Sequence, residues 1–258
     1  MPVQRVRAVV AAGRSIDAGG YKLSMDKPHL SIILPVLNEA AIIGNLLAQL
    51  DYPGVEVIVV DGGSEDATVS VVETFVESFD RCQLIETVSD RSLQMNVGAE
   101  VAIGEVLLFL HADTHIPINF IDLLLAQFVP SKRVWGRFDV RLSGSHPMFR
   151  LIETMMNNRS WLTGICTGDQ AIFIEKSVFE RIGGYSYLRL MEDIDISKRL
   201  LKISRPFRIT EPLVTSSRRW EQQGILKTIF LMWQLRLMYF VGVSPQVLAD
   251  KYYRPIDK

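Results

Sequence analysis

Between residues 30 and 110 the chain repeats one pattern: a short apolar run, a polar turn, then apolar residues at helical spacing. The runs fall at 30–36, 55–60, 82–88 and 104–110. The run at 55–60 is dense in β-branched residues, as strands prefer. Between the runs, Ile42, Ile43, Leu46, Leu47 and Leu50 share a face of a helix expected over 40–50. Asn38 reads as its N-cap, with Glu39 in the first turn. Val69, Val72, Phe75 and Val76 do the same within 66–79, and a third helix is expected over 91–102. Near-continuous apolar strands alternating with helices imply βαβ units. They build a mostly parallel, Rossmann-like α/β sheet with helices on both faces.

The alternation loosens after Pro117. Helices are expected over 118–128, 147–158 and 194–203, the last led by Met191-Glu192-Asp193. The stretch 134–142 alternates and suits an antiparallel strand at the sheet edge; 168–174 reads as a strand entered by polar residues. Residues 178–182 read as a short helix broken by Gly183-Gly184. One domain over 29–214 results. Residues 1–28, with Arg5, Arg7 and Arg14 among Val and Ala, form a basic extension, expected to be disordered rather than a targeting peptide. Residues 215–258 form a C-terminal helical segment. Its stretch 225–241 is apolar nearly all round, which means burial against the domain or a second copy, or contact with a membrane surface.

Composition narrows the function. A net charge of −1 over 258 residues gives no electrostatic case for nucleic acid. Two cysteines outside any CxxC, Cys82 and Cys166, suggest a reducing compartment without structural zinc. No run of about 20 apolar residues is present to span a bilayer. The expected location is therefore cytoplasmic, including the inner face of the membrane.

Parallel strands share a direction, so their carboxyl ends converge on one edge, where ligands bind in such sheets. That edge gathers Pro35 to Glu39, Asp61-Gly62, Ser89 to Arg91 and His111 to Asp113, with the Asn96 amide nearby. Neither GxGxxG nor GxxxxGK[ST] occurs, so a dinucleotide-dependent dehydrogenase and a P-loop NTPase are not supported. Taken alone, Asp113 could cap a turn or hold a divalent metal against a phosphate. Likewise Glu192, Asp193 and Asp195 could serve only the dipole of the helix they begin.

Five segments together resemble the family 2 glycosyltransferases of GT-A fold. They are Leu30-Ser-Ile-Ile-Leu-Pro-Val-Leu-Asn-Glu39, Val59-Val-Asp-Gly-Gly-Ser-Glu-Asp-Ala-Thr68, Gln94-Met-Asn-Val-Gly-Ala99, His111-Ala-Asp113 and Met191-Glu-Asp193. They stand in the family's order. The His-Ala-Asp form and Arg218-Arg219-Trp220 are most similar to a bacterial subgroup of small enzymes, some attributed to arsenosugar biosynthesis. The resemblance implies an inverting, metal-dependent transfer of a sugar from a UDP- or GDP-linked donor to an acceptor hydroxyl. It implies that Pro35, Asn38, Glu39, Asp61, Arg91, His111 and Ala112 line the nucleotide pocket. Asp113 would hold Mg²⁺ or Mn²⁺, and Asp193, with Glu192 as runner-up, would be the general base. Gly168, Asp169 and Gln170 are candidate acceptor- or sugar-facing residues; Arg218 and Arg219 could close over the diphosphate, with Trp220 stacking on a sugar.

Two departures matter. His111 stands where the family's DxD has its first aspartate, so it would donate to the ribose or leave a weaker metal grip. The processive QxxRW is not matched, which disfavours polymer synthesis. Two rivals remain open: a transferase using a polyprenyl phosphate at a membrane surface, which 225–241 favours, and a non-catalytic nucleotide-sugar-binding protein.

Overall fold

The structure, a computed structural model, describes residues 6–7, 28–128 and 131–253. Its centre is four parallel strands: β2 (Leu30–Val36), β3 (Val55–Asp61), β4 (Cys82–Glu86) and β5 (Val106–Phe109). β2 lies between β3 and β5, pairing Ile33 with Ile58 on one side and with Phe109 on the other. Helices α1 (Ala40–Leu50), α2 (Thr68–Ser78) and α3 (Arg91–Val101) make the crossovers. The period of two along a strand splits the core. Ile32 and Leu34 face the cluster holding Ile43, Leu47 and Val72, whereas Ile33 faces Met95 and Ala99.

Beyond β5 the sheet becomes mixed. The order is β1-β4-β3-β2-β5-β7-β6-β8, with β1 at Val6–Arg7, β6 at Trp135–Leu142, β7 at Phe173–Glu175 and β8 at Phe207–Thr215. β7 runs antiparallel to both β5 and β6, and β8 runs parallel to β6. The expectation for 134–142 is corrected here: β6 lies inside the sheet and β8 forms the edge. Only Arg141 in β6 is exposed, because α5 (Pro147–Thr163) covers a face that alternation assigned to solvent. Polar residues 168–170 form a 3₁₀ turn before β7, not strand. Of the extension expected to be disordered, Val6–Arg7 form β1, antiparallel to β4; residues 1–5 and 8–27 lie outside the described residues.

Helices α4 (Phe120–Phe128), α6 (Lys176–Arg181) and α7 (Glu192–Leu201) complete the domain. The chain ends in α8 (Arg218–Gln223), α9 (Ile225–Phe240) and α10 (Pro245–Tyr253). No helix among the described residues is long and apolar enough to cross a membrane. Cys82 and Cys166 are free and buried, and burial pushes both thiols up to about 12, so they act as small apolar side chains.

The amino-terminal ends of the central strands are tied by one buried carboxylate. Glu56 accepts from Ser31 Oγ at 2.6 Å, the Ile103 amide at 2.9 Å and Gln83 Nε2 at 3.1 Å. Ser31 Oγ also accepts from the Gly104 amide at 2.8 Å. A Cβ on Gly104 would lie 2.6 Å from the Ser31 backbone nitrogen, so the chain can enter β5 here only as glycine. Glu56→Ala would strand these buried donors. The expected loss is roughly 1.5–3 kcal/mol, the worth of a hydrogen bond to a charged group, read by urea unfolding.

Candidate active site

At the opposite, carboxyl ends a buried side chain bridges two strands. Gln94 on α3 donates from Nε2 to the Val36 carbonyl at 3.0 Å and the Val60 carbonyl at 2.7 Å. The Val36 carbonyl also accepts the Gly62 amide at 2.9 Å, so Gln94 reinforces the last rungs between β2 and β3. Asp61 ends β3 with its carboxylate turned into its own turn. It accepts from the Gly63 and Ser64 amides, each at 2.8 Å, and from Ser64 Oγ at 2.5 Å. Three of about four acceptor positions are thereby used within the turn, and Asp61 is 1% exposed.

Asn38 is not the helix cap expected of it; Glu39 holds that position without a side-chain cap bond. Asn38 takes a left-handed φ of 56°, donates its amide to Ser64 Oγ and accepts the Glu65 amide at Oδ1, both at 2.8 Å. These two bonds join the loops after β2 and β3, and Asn38 stays exposed beside them. Pro35 remains within the strand, paired with Val60. The half-buried Glu39 carboxyl has no hydrogen-bond partner among the described residues. Burial pushes its carboxyl up, as do Asp113 and Asp66, while Arg218 and His111 act against them.

His111, Ala112 and Asp113 follow β5. Ala112 is buried. Asp113 and Arg218 line a cavity of about 110 Å³ with Asn45, Gln49, His115 and Ser216. His111 turns the other way: its Nδ1 is 3.6 Å from Asp169 Oδ1, and its ring lies against Gly168, where a Cβ would come within 2.7 Å of Nε2. Burial alone would raise the Asp169 carboxyl, but His111, Arg91 and Arg159 outweigh it and hold it low.

A second, smaller cavity is lined by His111 with Arg91, Gly168, Tyr185, Glu192 and Asp193. Asp193 Oδ2 accepts the Gly168 amide at 3.2 Å and Oδ1 the Ile194 amide at 2.7 Å. Burial and the adjacent Glu192 charge overcome these bonds and raise its carboxyl to about 7. A carboxylate at this pKa can take a proton near neutral pH. Arg91 approaches Glu192 to 3.9 Å. Met191, just before this pair, has a φ of 71° that a side chain rarely adopts. Its buried side chain packs with Leu235 of α9 and Leu248 of α10, which hold it there.

Several expected site residues serve other ends. Gln170 is fully buried and donates to Ser160 Oγ at 2.9 Å, closing a capping box with Thr167. Asn96 clamps the Tyr185 backbone with two 2.8 Å bonds. The Arg219 guanidinium lies 3.6 Å over the Tyr252 ring and donates to the Tyr252 carbonyl, so it ties α8 to α10. Trp220 packs on Phe149 and Ile152 of α5. Of the Arg-Arg-Trp segment, Arg218 alone reaches the Asp113 cavity.

Sequence reasoning passed over Arg159. It lies on α5 within electrostatic reach of Asp193 and Asp169, and its buried Nε and Nη2 have no hydrogen-bond partner among the described residues. Nothing in the local pattern flags it, since only the packing of α5 against β6 brings it to the acids.

A sequence profile described as "Glycosyl transferase family 2" matches residues 31–190. A "PGL/p-HBAD biosynthesis glycosyltransferase" of Mycobacterium bovis is 30% identical over 190 residues, covering 68% of this chain and 70% of the relative. The crystal structure of residues 1–349 of TarS from S. aureus superposes with a TM-score of 0.60 at 19% identity. It covers 73% of this chain, which spans 60% of that one. A mannosyltransferase from Pyrobaculum calidifontis, PcManGT, solved with GDP-Man and Mn²⁺, gives a TM-score of 0.56 at 24% identity. That match covers 77% of this chain and 60% of the other. The architecture is the GT-A fold.

Gln94→Leu removes a donor shared by two carbonyls while roughly keeping the side-chain volume. The Val36 carbonyl keeps the Gly62 amide, so we expect a cost of roughly 0.5–1.5 kcal/mol in thermal or urea unfolding, the net worth of a hydrogen bond.

Proposed function

The chain belongs to glycosyl transferase family 2, and from that premise we propose an inverting transfer from a UDP- or GDP-linked sugar to an acceptor hydroxyl, assisted by Mg²⁺ or Mn²⁺. The observation that carries this reading is a pair of cavities lined by residues that follow β5, one with Asp113 and Arg218, the other with His111 and Asp193. A leaving group and an attacking group need separate environments of this kind. That solved relatives of the same fold bind UDP-GlcNAc, or GDP-Man with Mn²⁺, supports a nucleotide-sugar donor.

The residues present suit a hard cation of limited grip. Among the described residues no three His, Cys, Asp or Glu side chains gather as a metal cage. Asp113 beside the half-buried Glu39 instead offers one or two carboxylates whose repulsion a cation relieves. Mg²⁺ and Mn²⁺ accept such sites, filling their other positions with phosphate oxygens and water. When bound, the cation neutralises charge developing on the departing nucleoside diphosphate. Arg218 supplies a further positive charge to the same cavity.

Asp193 takes the proton of the acceptor hydroxyl as its oxygen bonds to the sugar's anomeric carbon and the bond to the diphosphate breaks on the opposite face. The Gly168 amide, bonded to Oδ2, orients the carboxylate. Arg91 offsets the Glu192 charge beside it, and His111 with Asp169 forms the wall between base and diphosphate. The intact acids at both cavities favour catalysis over a silent binding role.

Asp193→Asn should leave donor binding near normal and cost roughly 10²–10⁴ in transfer, the usual worth of a positioned base. Because the folded-state pKa is raised to about 7, the base is protonated and idle below that pH and active above it. The kcat/KM of the native enzyme should therefore rise with pH through about 7, and the variant should lose that limb. Asp113→Asn should abolish the extra thermal stabilisation that Mn²⁺ adds to UDP or GDP, since ligand binding raises apparent stability. An unchanged Mn²⁺ effect would remove Asp113 as the metal ligand.

A further inference from the structure

Helix α9 has one face without a partner among the described residues. Leu226, Phe230, Trp233, Leu237 and Phe240 are each 62–82% exposed. At about 100° per residue they form a single stripe along the whole helix. The opposite face is seated in the protein through Thr228, Leu235 and Tyr239. Five large apolar side chains in one stripe exceed the scattered exposure normal for a soluble surface.

The charges around the stripe say what covers it. No acidic residue occurs between Glu221 and Asp250. The two cations of the helix, Lys227 and Arg236, fall roughly 100° to one side of the stripe and 80° to the other, between the free and buried faces. Such flanking cations can extend to lipid headgroups while the aromatic and leucine side chains enter the acyl boundary. A helical partner would favour Leu, Ile and Val at these positions over three aromatic rings. The neighbouring α5 leaves Leu151, Met155 and Leu162 exposed as well.

We propose that the α9 stripe seats the protein on an anionic lipid surface, with the helix lying in the interface plane. At 16 residues α9 is too short to span a bilayer but suits this depth of insertion. The proposal does not depend on the transferase reading, because its readout involves neither donor nor turnover.

The test is flotation of the full chain with phosphatidylcholine vesicles, with and without phosphatidylglycerol, alongside Phe230→Ser/Trp233→Ser. These side chains are exposed, so circular dichroism and the unfolding temperature should match the native protein. Native protein should float with phosphatidylglycerol-containing vesicles, less so at high salt, and the variant should partition roughly tenfold more weakly or worse. Three results would overturn the proposal: no flotation of the native protein, equal binding without phosphatidylglycerol, or an unchanged variant. So would a dimer in vesicle-free buffer that the same double variant dissociates, which assigns the stripe to a second copy.

Discussion

The site depends on β2 lying between two parallel neighbours in a fixed register. Val36 pairs with Asp61 across β3, and Ile33 with Phe109 across β5, so three strands end within a few residues of each other. At one end Glu56 and Ser31 draw them together, and at the other Gln94 bridges β2 and β3 while Asn38 joins the loops that follow them. Gly98 permits this arrangement: a Cβ there would come within 2.6 Å of Ile33, and α3 could not lie close enough for Gln94 to reach both carbonyls.

The cleft then collects charge that the fold pays for elsewhere. Asp193 is raised by burial and Glu192, and Glu39 by burial and Asp113. Arg91, Arg159 and Arg218 offset these acids without forming short ion pairs with them, which leaves the groups available to a substrate. Backbone strain follows the same distribution. Of the four non-glycine residues with positive φ among those described, Asn38, Ala171 and Met191 flank the site. Each is pinned by its surroundings: Asn38 by Ser64 and Glu65, Ala171 by its buried position, Met191 by α9 and α10. Strain of this kind persists only where packing over-determines it.

What the sequence made legible follows from range. The first four parallel strands and three helices are encoded by local periodicity and were readable to within a few residues. The resemblance supplied Asp113 and Asp193 as chemistry, and both line cavities. Strand β8 escaped notice because Phe207-Arg-Ile-Thr-Glu-Pro-Leu-Val-Thr215 carries a proline and charged residues at an edge. There the register slips between Phe138 and Asp139 to accommodate Pro212. Gln170, Asn96, Arg219 and Trp220 are polar or amphipathic residues near the motifs, and only tertiary contacts show that they bond inward. Arg159 is the converse case, an unremarkable helical arginine that folding brings to the acids.

Helix α9 joins two of these themes. Its amphipathic division was hidden in the sequence, where apolar residues surround it, and emerges only when Leu235 is seen buried and Phe230 and Trp233 are seen free. The buried side reaches Met191, whose left-handed backbone begins the helix carrying Asp193. The free side touches nothing described in the protein. One helix thus packs with one face against Met191, which precedes Glu192 and Asp193, and presents an apolar, cation-flanked stripe with the other. Since the two faces share no side chains, the requirements of the active site explain the buried face alone, and the stripe must answer to a different partner.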